Sequence, residues 1–426
     1  MGMTMAEKVL ARVSDHAEVH AGEFVTARPD RLMAHEAFVA CAALLAREGV
    51  ERLWDPDRLI VVLDHYFPAP TPDAARIHRA ARDFVERFGI RHFLGHAGIC
   101  HQVLSEQGFI LPGELVLGTD SHTTTYGALG AAGAGIGMTE MAYVMATGTL
   151  WMQVPPTVRF VLEGRAPEGV MSKDVILHIA GRWGTEVAQY ASIEFSGAVA
   201  ARMGAAARMT VSNMGVELGA KFAFFPADEV TLRYLEGRAR GEVRRFEPDP
   251  DARYRESHSV DVSGLEPQVA LPHNPGNVQP VSQAAGTVVD QAFLGSCTNA
   301  RLEDLAVAAA VLRGRRVHPR TRLLVTPASA QVYRDALAAG YLQTLAEAGA
   351  AITASGCGAC PGGHMGVLAP GERCVSSTNR NFQGRMGSPE AEVYLASPAT
   401  VAAAAVTGAI VDPREFWRGR ALEEET

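Results

Sequence analysis

The feature that most constrains the fold of this 426-residue chain is a local pattern that recurs along it. An apolar run rich in β-branched residues ends in a loop of polar residues and glycine, and in the clearest cases a helix-like segment follows. The pattern occurs at residues 59–70, 114–130, 288–312, 350–363 and 373–385. Because strands that alternate with helices form parallel sheets, the sequence predicts an α/β fold.

The chemically interesting side chains concentrate where these predicted strands end. In parallel sheets, functional groups gather beyond the carboxyl ends of the strands. The polar residues and cysteines at such positions are Asp64, His65, Asp120, Ser121, His122, Cys297, Cys357, Cys360, Asn379 and Arg380. Residues that served only the core would have no reason to cluster in this way, so the pattern indicates a functional site.

Length and composition predict three structural units. A chain of this size forms two or three domains. Residues 154–164 begin a new strand after a long helix, and residues 237–285 are rich in proline and charge, as in an extended connector. We therefore place α/β units at 1–155, 156–280 and 281–426.

Charge and hydropathy argue against several classes of function. The formal net charge is −8, and the one short basic stretch, 313–322, reads as a solvated helix end, so nucleic-acid binding is not expected. Residues 1–15 read as a helix with Thr4 and Glu7 as a capping box, not as a signal peptide. The apolar run at 400–411 is too short to span a bilayer. We expect a cytoplasmic protein with no membrane partner.

The six cysteines do not form a disulfide framework in a chain this long, and a reducing compartment would keep them as thiols. Three of them, Cys41, Cys100 and Cys374, lie in or beside apolar runs. Because free cysteine is among the most buried residue types, these three are predicted to belong to the core.

The other three cysteines are candidate metal ligands. Cys357 and Cys360 share a glycine-rich loop, and Cys297 lies in another strand-end loop of the same unit. Three thiolates can hold three corners of a 4Fe–4S cluster and leave one iron without a protein ligand, able to act as a Lewis acid on a substrate. The alternative is a structural zinc completed by a histidine such as His364.

Three long motifs resemble the aconitase superfamily: FLGSCTNARLEDL, GCGACPGGHMGVLAPGE and SSTNRNFQGRMGSPEAEVYLASPATVAAAA. Within it, the chain is most similar to the large subunits of 3-isopropylmalate dehydratases and homoaconitases, over essentially its whole length. The resemblance implies three α/β/α domains around one 4Fe–4S cluster. It also implies a reversible dehydration and hydration that moves a hydroxyl between adjacent carbons.

The resemblance implies catalytic roles for six residues, which are Asp64, His65, His101, Asp120, His122 and Glu217. Asp64 and His65 match an acid–base pair that protonates the leaving hydroxyl. His101 and Asp120 match the pair that handles the water bound at the cluster, with His122 in the same network. Glu217 matches a glutamate beside the labile iron.

Further positions match residues that bind the substrate or surround the cluster. Ser121, Arg380 and Arg385 are implied to bind substrate carboxylates, a task that suits the planar guanidinium of arginine. Three amide side chains are implied to donate hydrogen bonds to cluster sulfides or thiolates, namely Asn213, Asn299 and Asn379.

Two other interpretations of these motifs are weaker. Residues 120–122 could suggest a hydrolase triad, but side chains of consecutive residues point in alternating directions, and the GxSxG motif is absent. The glycine-rich stretch at 127–137 could suggest a dinucleotide site, but it lacks the GxGxxG spacing. Close packing of backbone is the better interpretation of these glycines.

The resemblance also implies a partner and a substrate class. Single-chain aconitases carry a swivelling fourth domain, for which this chain has no sequence, so we expect a separate small subunit to supply it. The leading expectation is 3-isopropylmalate dehydratase of leucine biosynthesis, which His35 and Glu36 favour; the alternative is homoaconitase of lysine biosynthesis. Residues 361–363 depart from the usual family pattern and leave the substrate open. A cluster-gated RNA-binding protein is a more distant alternative.

Overall fold

The computed structural model describes residues 2–419, and parallel sheets dominate it. The strands are β1 (Phe24–Ala27), β2 (Arg31–His35), β3 (Leu59–Val62), β4 (His92–Gly95), β5 (Leu115–Gly118), β6 (Ala132–Gly135), β7 (Leu150–Gln153), β8 (Thr157–Glu163), β9 (Ser192–Ser196), β10 (Phe222–Phe224), β11 (Glu256–Asp261), β12 (Gln268–Ala270), β13 (Val278–Pro280), β14 (Gln291–Leu294), β15 (Arg322–Val325), β16 (Ala351–Ile352), β17 (Arg373–Ser376) and β18 (Glu392–Ala396).

Most helices follow strands, as the sequence pattern predicts. They are α1 (Met5–Val13), α2 (Val39–Arg47), α3 (Pro72–Phe88), α4 (Cys100–Glu106), α5 (Met138–Thr147), α6 (Ser172–Trp183), α7 (Ala198–Arg202), α8 (Ala205–Asn213), α9 (Glu229–Leu235), α10 (Val281–Ala284), α11 (Leu302–Leu312), α12 (Ala330–Ala338), α13 (Tyr341–Ala348) and α14 (Pro398–Thr407). The predicted capping box of Thr4 and Glu7 is present at the start of α1. Within residues 2–419, we find no helix with the length and apolar character needed to cross a bilayer.

Three sheets of four or more strands make up the framework. The first has the order β4-β3-β2-β5-β6 and the second the order β10-β9-β8-β11, and all their neighbouring strands are parallel. The third has the order β13-β12-β18-β17-β14-β15-β16, with antiparallel pairing only at β12. The predicted α/β fold with parallel sheets is therefore confirmed.

Residues 237–285, predicted as an extended connector, contain three strands that pair within the large sheets. The first strand, β11, extends the second sheet beside β8, whereas β12 and β13 extend the third sheet. These strands are only three to six residues long, and their proline and charged residues obscure the strand pattern in the sequence. The domain boundaries stay a prediction.

Backbone packing explains the glycine-rich stretch at 127–137. A Cβ at Gly127 would lie 1.8 Å from the carbonyl oxygen of Ala223, and a Cβ at Gly133 would lie 2.1 Å from that of Thr123. No side chain fits at these distances, so glycine allows the 3-10 helix Ser121–Leu129 to press against both β6 and β10. Close packing, as predicted, is the role of these residues.

The carboxyl ends of the first and third sheets face each other. The loop after β3 and the loop after β16 are joined directly, because the N–H of Cys357 donates to the carbonyl oxygen of Asp64 at 3.0 Å. An isolated antiparallel bridge between Gly98, after β4, and Ser329, after β15, is a second connection between the loops of these two sheets. Strand ends that are far apart in the sequence therefore meet at one place.

Candidate active site

A small cavity lies where these strand ends meet. Its walls come from both sheets and hold three cysteines together with acid and base side chains. The lining residues are Asp64, His65, Ile99, Cys100, His101, Asp120, His122, Ser296, Cys297, Cys357, Cys360, Pro361, Asn379 and Arg385. Ten of these fourteen residues are site residues predicted from the sequence.

Asp64 and His65 form a hydrogen-bonded pair directly after β3. Oδ1 of Asp64 lies 2.7 Å from Nδ1 of His65, and its Oδ2 accepts the N–H of Cys100 at 2.7 Å. Burial disfavours a charged ring, but negative charge on Cys357 and Asp64 and hydrogen bonds to Asp120 and Asp64 raise the pKa of His65 well above its ordinary value. The pair is arranged to keep a proton on this imidazole.

Asp120 is the centre of the predicted acid–base network. Its Oδ1 lies 2.7 Å from Nε2 of His101 and accepts the backbone N–H of His122 at 2.8 Å, and its Oδ2 lies 3.4 Å from Nε2 of His65. Burial opposes ionisation, but hydrogen bonds to His101, His122 and His65 hold the pKa of Asp120 well below its usual range. A single ionised carboxylate therefore orients three histidine residues.

Glu217 extends this network from the second unit. Its Oε1 lies 2.9 Å from Nε2 of His122 and 2.8 Å from Nε of Arg380, and the residue is only 7% exposed. A lone glutamate in a sequence is usually a surface residue. Here a 3-10 turn, Met214–Leu218, carries Glu217 into the site beside a histidine from the first unit and an arginine from the third.

The three predicted metal ligands lie in the same cavity and are free thiols. Cys297, Cys357 and Cys360 are 5–8% exposed, and burial raises the pKa of Cys297 to about 12 and that of Cys357 well above the ordinary range. Side-chain amides of Asn213 and Asn379 each lie 3.2 Å from Sγ of Cys297. Thiols that converge in this way, with amide N–H groups directed at sulfur, are suited to bind a metal centre, because metals bind cysteine as the thiolate.

This donor set fits an iron–sulfur cluster better than a zinc ion. The imidazole of His364, the proposed fourth zinc ligand, lies with Nε2 2.7 Å from the carbonyl oxygen of Pro68 and does not line the cavity. Arg385 reaches the cavity with Nη2 3.8 Å from Sγ of Cys360, and its buried Nε has no hydrogen-bond partner among residues 2–419. A half-buried guanidinium with such a donor suits an anionic substrate.

Two predicted residues are placed differently from the rest. Asn299 donates its side-chain N–H groups to Asp304 at 3.2 Å and Thr210 at 3.4 Å, and none of its recorded hydrogen bonds goes to a cysteine. The reason is that the Asp304 carboxylate, which turns back to cap α11, is a stronger acceptor than a thiol. Ser121 does not line the cavity, and its hydroxyl lies 3.4 Å from Nδ1 of His122.

The sequence interpretation missed the structural role of His35 and Glu36. Glu36 is fully buried and accepts the N–H groups of Asp64 at 3.1 Å and Tyr66 at 2.6 Å. The ring of His35 stacks on that of His65, with centroids 4.1 Å apart. Both residues lie at the end of β2, which pairs with β3, so the strand-end rule applied to every strand would have included them.

The aconitase family model, described as "Aconitase family (aconitate hydratase)", matches residues 7–288 and 282–408. The 3-isopropylmalate dehydratase large subunit 1 of Methanopyrus kandleri is 52% identical over 98% of this chain and 100% of its own length. Two proteins of Methanothermobacter thermautotrophicus are also similar, each over 97% of this chain. A probable 3-isopropylmalate dehydratase large subunit is 50% identical over 99% of its length, and a probable methanogen homoaconitase large subunit is 48% identical over 98% of its length. The chain belongs to the aconitase family.

Proposed function

We propose that this chain is the large subunit of a 3-isopropylmalate dehydratase, a hydro-lyase that interconverts 2- and 3-isopropylmalate through isopropylmaleate. The observation that carries the proposal is the convergence of three free cysteines with the Asp120 network in one cavity. Relatives named as large subunits of this enzyme, 44–52% identical over nearly the whole chain, support the substrate class.

Membership of the family implies an iron–sulfur cluster, and we propose a 4Fe–4S cluster held by Cys297, Cys357 and Cys360, with one iron free of protein ligands. When bound, such a cluster supplies a Lewis acid for the hydroxyl and one carboxylate of the substrate. Asn213 and Asn379 would stabilise the thiolate of Cys297. Six free thiols in the chain are consistent with a reducing, cytoplasmic location.

The protein residues supply the proton transfers and the binding of charge. His65 keeps its proton because Asp64 and Asp120 flank its two ring nitrogens, so we assign it as the acid that protonates the departing hydroxyl. His101, paired with Asp120 at 2.7 Å, exchanges a proton with the released water. Arg385 binds a substrate carboxylate through its Nε, which has no hydrogen-bond partner in the described part of the chain.

The proposal includes a separate small subunit. The relatives are named as large subunits, which implies that each works with a second chain. In this chain the residues around the cavity serve the hydroxyl end of the reaction, and we assign the removal of the carbon-bound proton to the partner. Residues 420–426, which end the chain, lie outside the described residues.

A second candidate function is the large subunit of a homoaconitase. The specific observation in its favour is the probable methanogen homoaconitase large subunit, which is 48% identical to this chain. The two enzymes differ in the substrate side chain, which is a branched alkyl group in one and a further carboxylate chain in the other. The residues that we assign to proton transfer act on the part that both substrates share.

The test is a reconstitution with defined substrates. The chain is co-expressed with each candidate small subunit from the same genome, its cluster is rebuilt without oxygen, and hydration of isopropylmaleate, homoaconitate and cis-aconitate is compared. The proposal expects the highest kcat/KM with isopropylmaleate and little activity without a small subunit. A preference for homoaconitate would establish the second candidate, and full activity of the chain alone would refute the requirement for a partner.

A further inference from the structure

Two buried cationic side chains hold the loops that carry the cysteine and amide groups of the site. Lys173, in α6, is fully buried, and Arg301, just before α11, is 3% exposed. Long charged side chains are almost never buried to this extent unless they are paired. Arg301 lies within the motif FLGSCTNARLEDL, but the sequence analysis gave neither residue a role and the proton transfers do not use them.

Arg301 binds the loop of Cys297 through its backbone. Its Nη2 donates to the carbonyl oxygen of Cys297 at 2.8 Å, and its Nη1 donates to that of Thr298 at 2.7 Å. Its Nε donates to Oε1 of Gln102 at 2.9 Å, which ties the loop to α4 of the first unit. The loop needs such support because Ser296 and Ala300, on either side, have positive φ angles of 84° and 70°.

Lys173 does the same for the loop after β17. Its Nζ donates to the carbonyl oxygen of Ser377 at 2.9 Å and also to that of Thr378. The next residue along the chain is Asn379, whose amide lies 3.2 Å from Sγ of Cys297. Ser377 joins the two loops, because its hydroxyl accepts the N–H of Gly295 at 3.0 Å.

The positive charge of these two side chains has no carboxylate partner at ion-pair distance within residues 2–419. Arg208 shows the usual arrangement, since it is 1% exposed and lies 2.6 Å from the carboxylate of Asp228. Burying a cation without a counter-charge is strongly unfavourable. Burial lowers the pKa of Lys173 to about 7, and negative charge on Cys297 opposes that shift. Negative charge on Asp304, beyond ion-pair distance, favours both cations, and thiolates at the cysteines would add to it.

We propose that Lys173 and Arg301 are positioning residues that fix the two loops and balance the negative charge of a cluster bound by Cys297, Cys357 and Cys360. This inference rests on the proposed function, because it requires a cluster at those thiols. The two residues have different roles in this proposal. Arg301 holds the ligand itself, and Lys173 holds the loop of the amide that hydrogen-bonds to the ligand.

The experiment uses matched pairs of variants in the full chain. Arg301→Lys is compared with Arg208→Lys, which changes an equally buried arginine away from the cysteines. Lys173→Met is compared with Lys221→Met, which changes a half-buried lysine. After anaerobic reconstitution, we measure iron and sulfide per chain, the rate of iron loss to a chelator, the midpoint potential of the cluster and the melting temperature of the apoprotein.

We expect Arg301→Lys to lose iron about tenfold to a hundredfold faster than the wild type, while Arg208→Lys loses it at the wild-type rate. We expect Lys173→Met to shift the midpoint potential to a more negative value, because removing a nearby positive charge destabilises the reduced cluster. A purely structural effect of Lys173→Met would lower the melting temperature of its apoprotein and leave the midpoint potential at the wild-type value.

The outcomes separate this inference from the proposed function. If the wild-type chain takes up no iron and sulfide, the proposed function fails and the inference fails with it. If the wild type binds a cluster but Arg301→Lys retains iron normally and Lys173→Met keeps the wild-type potential, the inference alone is refuted. If Lys173→Met does not fold, the comparison of Arg301→Lys with Arg208→Lys still decides the positioning role.

Discussion

The carboxylate of Glu36 accepts the backbone N–H of Asp64 at 3.1 Å. The same carboxylate accepts the N–H of Tyr66 at 2.6 Å, so it holds the chain on both sides of His65. Burial alone would raise the pKa of Glu36, but the His78 imidazole, with Nε2 3.5 Å from Oε1, and the charges of His65 and His35 lower it below the ordinary range. An ionised carboxylate is therefore available as a fixed acceptor for this loop.

Glu36→Gln is expected to lower kcat by about 10² with little change in KM, because one of the two acceptors becomes an N–H donor and displaces His65. In the proposed function Arg385 binds a substrate carboxylate, so this change is expected to spare substrate binding. Steady-state kinetics on the reconstituted heteromer checks this. An equal rise in KM with unchanged kcat would show that Glu36 does not position His65.

Asp120→Asn is expected to lower kcat/KM by at least about 10², since an amide cannot accept hydrogen bonds from all the groups that surround Asp120. The cluster ligands are unchanged, so iron content stays at the wild-type level. Asp228→Asn, which alters the contact of a half-buried carboxylate with the buried Arg208, serves as the control and is expected to retain activity. Comparable activity losses in the two variants would argue against the network.

Cys297→Ala is expected to abolish stable cluster binding, because it removes one of only three proposed protein ligands. Cys41→Ala, the control, removes a buried thiol that donates to the carbonyl oxygen of Met138 at 3.3 Å and does not line the cavity. Iron and sulfide analysis after reconstitution is expected to show at least about tenfold less iron in the first variant only. Normal iron content in Cys297→Ala would overturn the ligand assignment.

Glu194 is expected to make the stability of the apoprotein depend on pH. Burial raises its pKa from 4.5 to about 7, although it accepts the N–H of Met5 at 2.7 Å and the hydroxyl of Tyr254 at 2.8 Å. Between these two pKa values the folded state holds a proton that the unfolded state has lost. The free energy of unfolding therefore falls as pH rises, by ~1.4 kcal/mol per pH unit.

Glu194→Gln removes this titration. Melting temperatures of the wild type and the variant are expected to be similar at pH 5, and the variant is expected to melt at a higher temperature at pH 8. Differential scanning calorimetry of both apoproteins across this range checks the sign. If the melting temperatures of the two proteins changed with pH in the same way, Glu194 would not be held protonated in the folded protein.

Much of the site could be predicted because each strand end is a local feature of the sequence. The apolar run 59–62 predicts β3, and the polar residues that follow it must then lie at the edge of the sheet. The motifs around Cys297 and Cys357 could likewise be interpreted without the structure. Asn299 shows the limit of this reasoning. It lies in the same motif as Cys297, but its side-chain amide donates a hydrogen bond to Asp304 and not to a cysteine.

The sequence by itself determined the strands that precede Asp64, Asp120 and Cys297 and the residues at their ends, because these properties depend on neighbours within a few positions. Only the tertiary structure decided that Glu36 supports the loop of Asp64, and that Lys173 reaches the carbonyl groups beside Asn379 more than two hundred positions away. The physical reason is that a buried charge is tolerated only where packing brings fixed dipoles or counter-charges to it. No local sequence pattern indicates which distant groups the fold brings into contact with such a charge.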